Sequence, residues 1–119
     1  MDIRVIKKKF GHGGEVHFVL KAKSAFRTDQ IEYLKKIIEA WVAIGNFGLY
    51  RDNLIDAYGR FRYLSDIVVK ESEIFWWVDM RGCDERALSD LITLFNIFND
   101  TTPGDHPEFF QLESLEIEE

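Results

Sequence analysis

One order of side-chain patterns occurs twice in this chain, and it limits the available folds more than any single motif does. Residues 2–10 (DIRVIKKKF) and 15–23 (EVHFVLKAK) alternate apolar and polar positions as strands do, on either side of "GHGG", a turn suited to a hairpin. Thr28 then stands where a helix cap is expected, ahead of Ile31, Leu34, Ile38, Trp41 and Val42 at helical spacing, and Gly45 and Asn46 mark the stop. The order returns with the alternating runs 61–70 (FRYLSDIVVK) and 73–81 (EIFWWVDMR). Asp84 then caps a predicted helix carrying Leu88, Leu91, Ile92, Phe95 and Phe98 and ending near Pro103. Val16, Phe18 and Leu20 fall on Ile74, Trp76 and Val78 at an offset of 58; Ile31, Leu34, Ile38 and Trp41 fall on Leu88, Leu91, Phe95 and Phe98 at 57. "LITLFNIF" is rich in β-branched and aromatic residues, but its length and cap favour a helix over a strand.

A ββα unit used twice predicts one α+β domain over residues 1–119. The first unit covers 1–45 and the second 61–100. Between them, 46–60 form a linker in which "DNLIDAYG", capped by Asp52 and closed by Gly59, reads as a short helix. Residues 101–119 follow as an acidic C-terminal strand or arm. Side by side, the units make a two-layer ββαββα sandwich: an antiparallel sheet with both helices on one face. Placing the most apolar strands centrally gives the strand order 2–10, 15–23, 73–81, 61–70. This resembles a ferredoxin-like arrangement permuted so that its last strand stands at the start of the chain. That fold carries many unrelated activities, so the resemblance implies no function.

The stretch "IFWWV", residues 74–78, makes both faces of a central strand apolar, because successive side chains of a strand point to opposite sides. Val16, Phe18, Leu20, Ile74, Trp76 and Val78 are expected to face the helices. Val19, Phe75 and Trp77, joined by Leu64 and Val68 from the neighbouring strand, are then left on a face that neither unit covers. Each such ring is worth roughly 1.5–3 kcal/mol when transferred from water to an apolar contact, so this surface calls for a partner. Three occupants are open: the chain's own residues 100–119, a second copy in a homodimer, or a different protein or small ligand.

Charge adds an asymmetry. Residues 1–60 hold 11 Lys and Arg against 7 Asp and Glu, a net of +4, whereas residues 61–119 hold 4 against 14, a net of −10, giving the chain's −6. Such an acidic chain repels nucleic acid. The tail "EFFQLESLEIEE" alternates well enough for a fifth strand. Its glutamates (Glu108, Glu113, Glu116, Glu118, Glu119) suit the basic first strand with Arg4, Lys7, Lys8 and Lys9. A single cysteine, Cys83, allows no internal disulfide, and no apolar run approaches a bilayer span; the expected setting is the cytoplasm, away from membranes.

Motifs for chemistry are sparse. His12, His17 and His106 have no metal-ligand spacing, and Cys83 sits just before a predicted helix with no expected histidine neighbour. "FGHGGE" links two strands and opens no helix, so it lacks the geometry of a phosphate cradle. No metal and no cofactor is expected. If the repeat's pseudo-two-fold sets Val19 opposite Trp77, then His17 lies opposite Asp79 and Lys21 opposite Phe75. His17, Lys21 and Asp79 would then form a candidate ligand or general-base cluster beside Trp77. The expected function is a non-enzymatic protein–protein interaction domain acting through its open sheet face or an edge strand, as an adaptor or a neutraliser of another protein, with a homodimer expected. The alternative is a small-molecule binder or minor enzyme built on the His17, Asp79 and Trp77 cleft.

Overall fold

A computed structural model describes residues 2–8, 14–50, 60–61, 63–81, 83, 85–100 and 111–119. Residues 11–13 of the GHGG turn, with His12, the short helix expected after Asp52, the Asp84 cap, Pro103, His106, Glu108 and the Phe109–Phe110 pair lie outside these residues. In chain order the elements are β1 (Arg4–Lys8), β2 (Glu15–Ala22), α1 (Thr28–Asn46), β3 (Val68–Lys70), β4 (Glu73–Asp79), α2 (Arg86–Asp100) and β5 (Leu112–Glu118). The ββαββα order is therefore present, followed by a fifth strand, in an α+β architecture compatible with two layers. The doubtful segment "LITLFNIF" is helical.

The strand order is β1-β5-β2-β4-β3. It corrects the expected one, because β1 and β2 are not neighbours. The C-terminal strand lies between them, parallel to β1 and antiparallel to β2. The reason is visible in the side chains. β5 carries Leu115 and Ile117, both fully buried, while β1 offers only half-buried Val5 and Ile6 amid Arg4, Lys7 and Lys8. The more apolar strand takes the inner position and the basic one is left at the edge.

β2 and β4 pair antiparallel, with Phe18 opposite Trp76. These two residues are repeat mates at the 58-residue offset, so the pseudo-two-fold passes between them. Their rings stack, with centroids 5.1 Å apart and planes 10° from parallel. Around them Leu20, Ile74, Val78, Leu115 and Ile117 from the sheet join Leu34, Ile38 and Trp41 of α1 and Leu88, Leu91 and Phe95 of α2 in one buried cluster. Trp41 meets Phe18 edge-on at 5.5 Å, and its indole N–H donates to the Ala87 carbonyl at 2.8 Å, which ties α1 to the start of α2. The indole N–H of Trp76, equally buried, has no acceptor among the described residues.

At the start of α1 the expected N-cap is corrected. Arg27, in extended geometry, occupies the N-cap of α1 and Thr28 is already helical; the Arg27 N–H donates to the buried Gln30 side chain at 2.8 Å. The helix ends at Asn46 as expected, with Gly45 inside its last turn, and the left-handed residue beyond the end is Gly48 (φ +85°). Gly45 is needed for another reason. The Phe61 N–H donates to its carbonyl at 3.2 Å, and a Cβ at this position would overlap the Phe61 ring. Phe61 and Tyr50, both from outside the two units' helices and strands, thus belong to the core. The Tyr50 hydroxyl donates to Asp90 Oδ2 at 2.8 Å; burial, then that bond, holds its pKa well above the usual tyrosine range.

Candidate functional site

β4 is alternately half-buried and buried along its whole length, from Glu73 to Asp79. Ile74, Trp76 and Val78 fill the core, while Phe75 and Trp77 point to the opposite face, on which no described helix lies. The register assembles that outer face row by row. One row runs Ile6, Glu116, Val19, Phe75, Val68 across all five strands. The next sets Glu118, His17 and Trp77 side by side, with the segment around Ser65 beyond them.

That segment departs from the expected strand 61–70. Only Val68–Lys70 pairs regularly, and Leu64 forms an isolated bridge to Val78. Between them the chain leaves the ladder at Asp66 and Ile67. The Ser65 hydroxyl then accepts the Trp77 N–H at 2.8 Å, in place of a main-chain carbonyl, and the Ser65 N–H donates to the Trp77 carbonyl at 3.0 Å. This interruption shifts the alternation by one. Val68 stays on the outer face, 44% exposed, but Leu64, opposite fully buried Val78, packs on the core instead. Tyr63 takes the outer place, 57% exposed, with its ring stacked on Trp77 at 4.9 Å and 30°. Of the five predicted surface residues, Val19, Val68, Phe75 and Trp77 share one face. Tyr63 was missed because unbroken alternation hides it; the adjacent "SD" was the available hint of a break.

Tyr63, Trp77, Phe75 and Val68 line an open depression of about 400 Å³, with Ser65, Asp66 and His17 also on its walls. The His17 ring lies 6.1 Å from that of Trp77. The predicted His17, Lys21 and Asp79 cluster is not assembled. His17 is opposite Trp77, and its Nε2 is 3.4 Å from Glu15 Oε2 of its own strand. Asp79 is opposite Glu15 and accepts the Arg81 N–H at 3.1 Å. Lys21 reaches across to Glu116 at 3.1 Å. The register differs by two residues from the one that would join them, because the repeat mates on the axis are the large core rings Phe18 and Trp76 and not Val19 and Trp77.

Toward β1 the same face becomes ionic. Glu116 of β5 is bridged by Lys8 of β1 and Lys21 of β2, each at 3.1 Å. Hydrogen bonds from Lys8, then Lys21, hold the Glu116 carboxyl below its usual pKa range. The tail's acids do meet the basic first strand, though from the inner side of the sheet and not from beyond its edge. Cys83 is half-buried, with its N–H donating to the Met80 carbonyl at 3.0 Å. Among the described residues no three His, Cys, Asp or Glu side chains converge, and no helix is long and apolar enough to cross a membrane. No family model, curated protein or solved structure matches this chain significantly.

Proposed function

We propose that this chain is a non-enzymatic docking domain that holds another protein on the outer face of its sheet. The observation that carries the reading is the two-sidedness of β4: Phe75 and Trp77 stand on the side away from the helices, continued by Tyr63 and Val68. Both sheet edges are poor docking sites. β3 is only three residues long, and β1 carries Arg4, Lys7 and Lys8, two ordinary devices against edge pairing. Five strands about 4.8 Å apart and about 20 Å long present roughly 400–500 Å² in projection, which suits a small, exchangeable interface. The βαββαβ run from β2 to β5, ordered β5-β2-β4-β3, reads as an unpermuted ferredoxin-like unit with β1 added.

The partner we favour is a different, basic protein and not a second copy. Two chains of net charge −6 repel one another, and the lysines Lys8 and Lys21 on this face are already held by Glu116. The test combines mass with variants. Light scattering of the purified chain should give a single 14.0 kDa species. Affinity capture from the native organism should retain one stoichiometric basic protein, lost with Trp77→Glu and Val68→Asp but kept with Ile97→Glu, a change on the exposed side of α2. A dimer abolished by Trp77→Glu would mean that a second copy is the occupant. Equal retention by all three variants would remove the face from the mechanism.

A further inference from the structure

We propose that the depression beside Trp77 is a receptor for one cationic side chain, an arginine or lysine presented by the docked protein. The inference rests on the docking reading above and specifies its anchor. The walls are aromatic: Trp77, the best cation–π partner among the side chains, lies stacked with Tyr63 at 4.9 Å, with Phe75 beside it and His17 6.1 Å away. The charge on the described lining is acidic. Asp66 lines the depression, and among the described residues no lysine or arginine does. Glu15, next along β2 on the same face, sits at His17, and Asp79 lies opposite Glu15. Of the cations on this face, Lys8 and Lys21 share Glu116 on the far side of β2, and Lys70, at the end of β3 opposite Glu73, is not among the lining residues.

A volume of about 400 Å³ is at the small end of ligand sites, suited to one side chain and its stem and not to a folded cofactor. The site is open, so an occupant would slide its apolar stem over Phe75 and Val68 while its charged head lies over Trp77 and within reach of Asp66. An anionic anchor finds no cation among the described lining residues. Arginine is the better fit of the two cations, because its planar guanidinium stacks on an indole as well as pairing with a carboxylate.

The probe is the peptide acetyl-Gly-Arg-Gly-amide, titrated into the full chain with the Trp77 indole N–H followed by NMR. The expected result is a saturable shift in the millimolar range, lost in Trp77→Leu. The isosteric citrulline peptide should bind at least tenfold more weakly. Asp66→Asn, a change at an exposed position, should weaken the arginine peptide several-fold and flatten its salt dependence. Equal binding of arginine and citrulline, or shifts confined to residues outside the depression, would overturn the proposal. If the arginine peptide causes no shift while Trp77→Glu and Val68→Asp still lose the captured protein, the cation receptor falls and the docking face stands. If neither effect is seen, both fall.

Discussion

Trp76 and Trp77 are neighbours in the chain with opposite surroundings. Trp76 is 3% exposed, stacked on Phe18 and edge-on to Phe95 of α2. Trp77 is half-buried, and among the described residues Tyr63, His17 and strand neighbours surround it. One ring is held by two layers of protein and the other by one. The same residue type is therefore structural on one side of the sheet and available on the other, and the pleat alone makes the distinction.

The largest test of that contrast is truncation. Trp76→Ala should cost about 3–5 kcal/mol of stability by urea unfolding, as for other large core rings. Trp77→Ala should cost less than half as much, because most of its contacts lie on one side. Equal losses would mean that the outer face is a second core. A smaller effect is expected in the helix layer. Gly45→Ala pushes a methyl against the Phe61 ring and should destabilise by about 1–3 kcal/mol, with the midpoint falling and the slope unchanged. No comparable penalty is expected from Val68→Ala on the open face.

The smallest effect concerns the ionic end of that face. The folded-state pKa of Glu116 is lowered, so its bridge to Lys8 and Lys21 contributes above the ordinary glutamate pKa and is lost as pH falls through the lowered one. Both lysines are partly exposed, so Glu116→Gln should cost only about 0.5–1 kcal/mol at neutral pH. The gap between the two proteins should narrow below about pH 4 and shrink in high salt. A difference that persists unchanged at pH 3 would show that the residue acts by packing.

Much of this architecture was legible because periodicity reports which face a side chain takes. The two ββα units, the helical state of "LITLFNIF" and the outward pointing of Phe75 and Trp77 all follow from spacing. Periodicity says nothing of which strand lies beside which. A register shifted by two leaves every side chain on its face, so Val19 and Trp77 remained correctly placed while the imagined His17–Asp79 pair dissolved into separate contacts. Leu64 failed for the opposite reason: a one-residue interruption at Asp66–Ile67 reversed its face. The position of β5 depended on comparing its Leu115 and Ile117 with a β1 rich in lysine, a competition between distant segments that no local window contains.

That insertion has a consequence for how the chain is made. β1 reaches the sheet only through β5, with Arg4 paired to Ser114. During synthesis β1 must therefore wait, unpaired, until residues 112–118 have emerged, while β2 and β4 can already close upon each other. Joining such remote segments is slow compared with forming a helix or hairpin. Lysines such as those of β1 are a general device against wrong strand pairing, and a strand that waits is where such a device matters most.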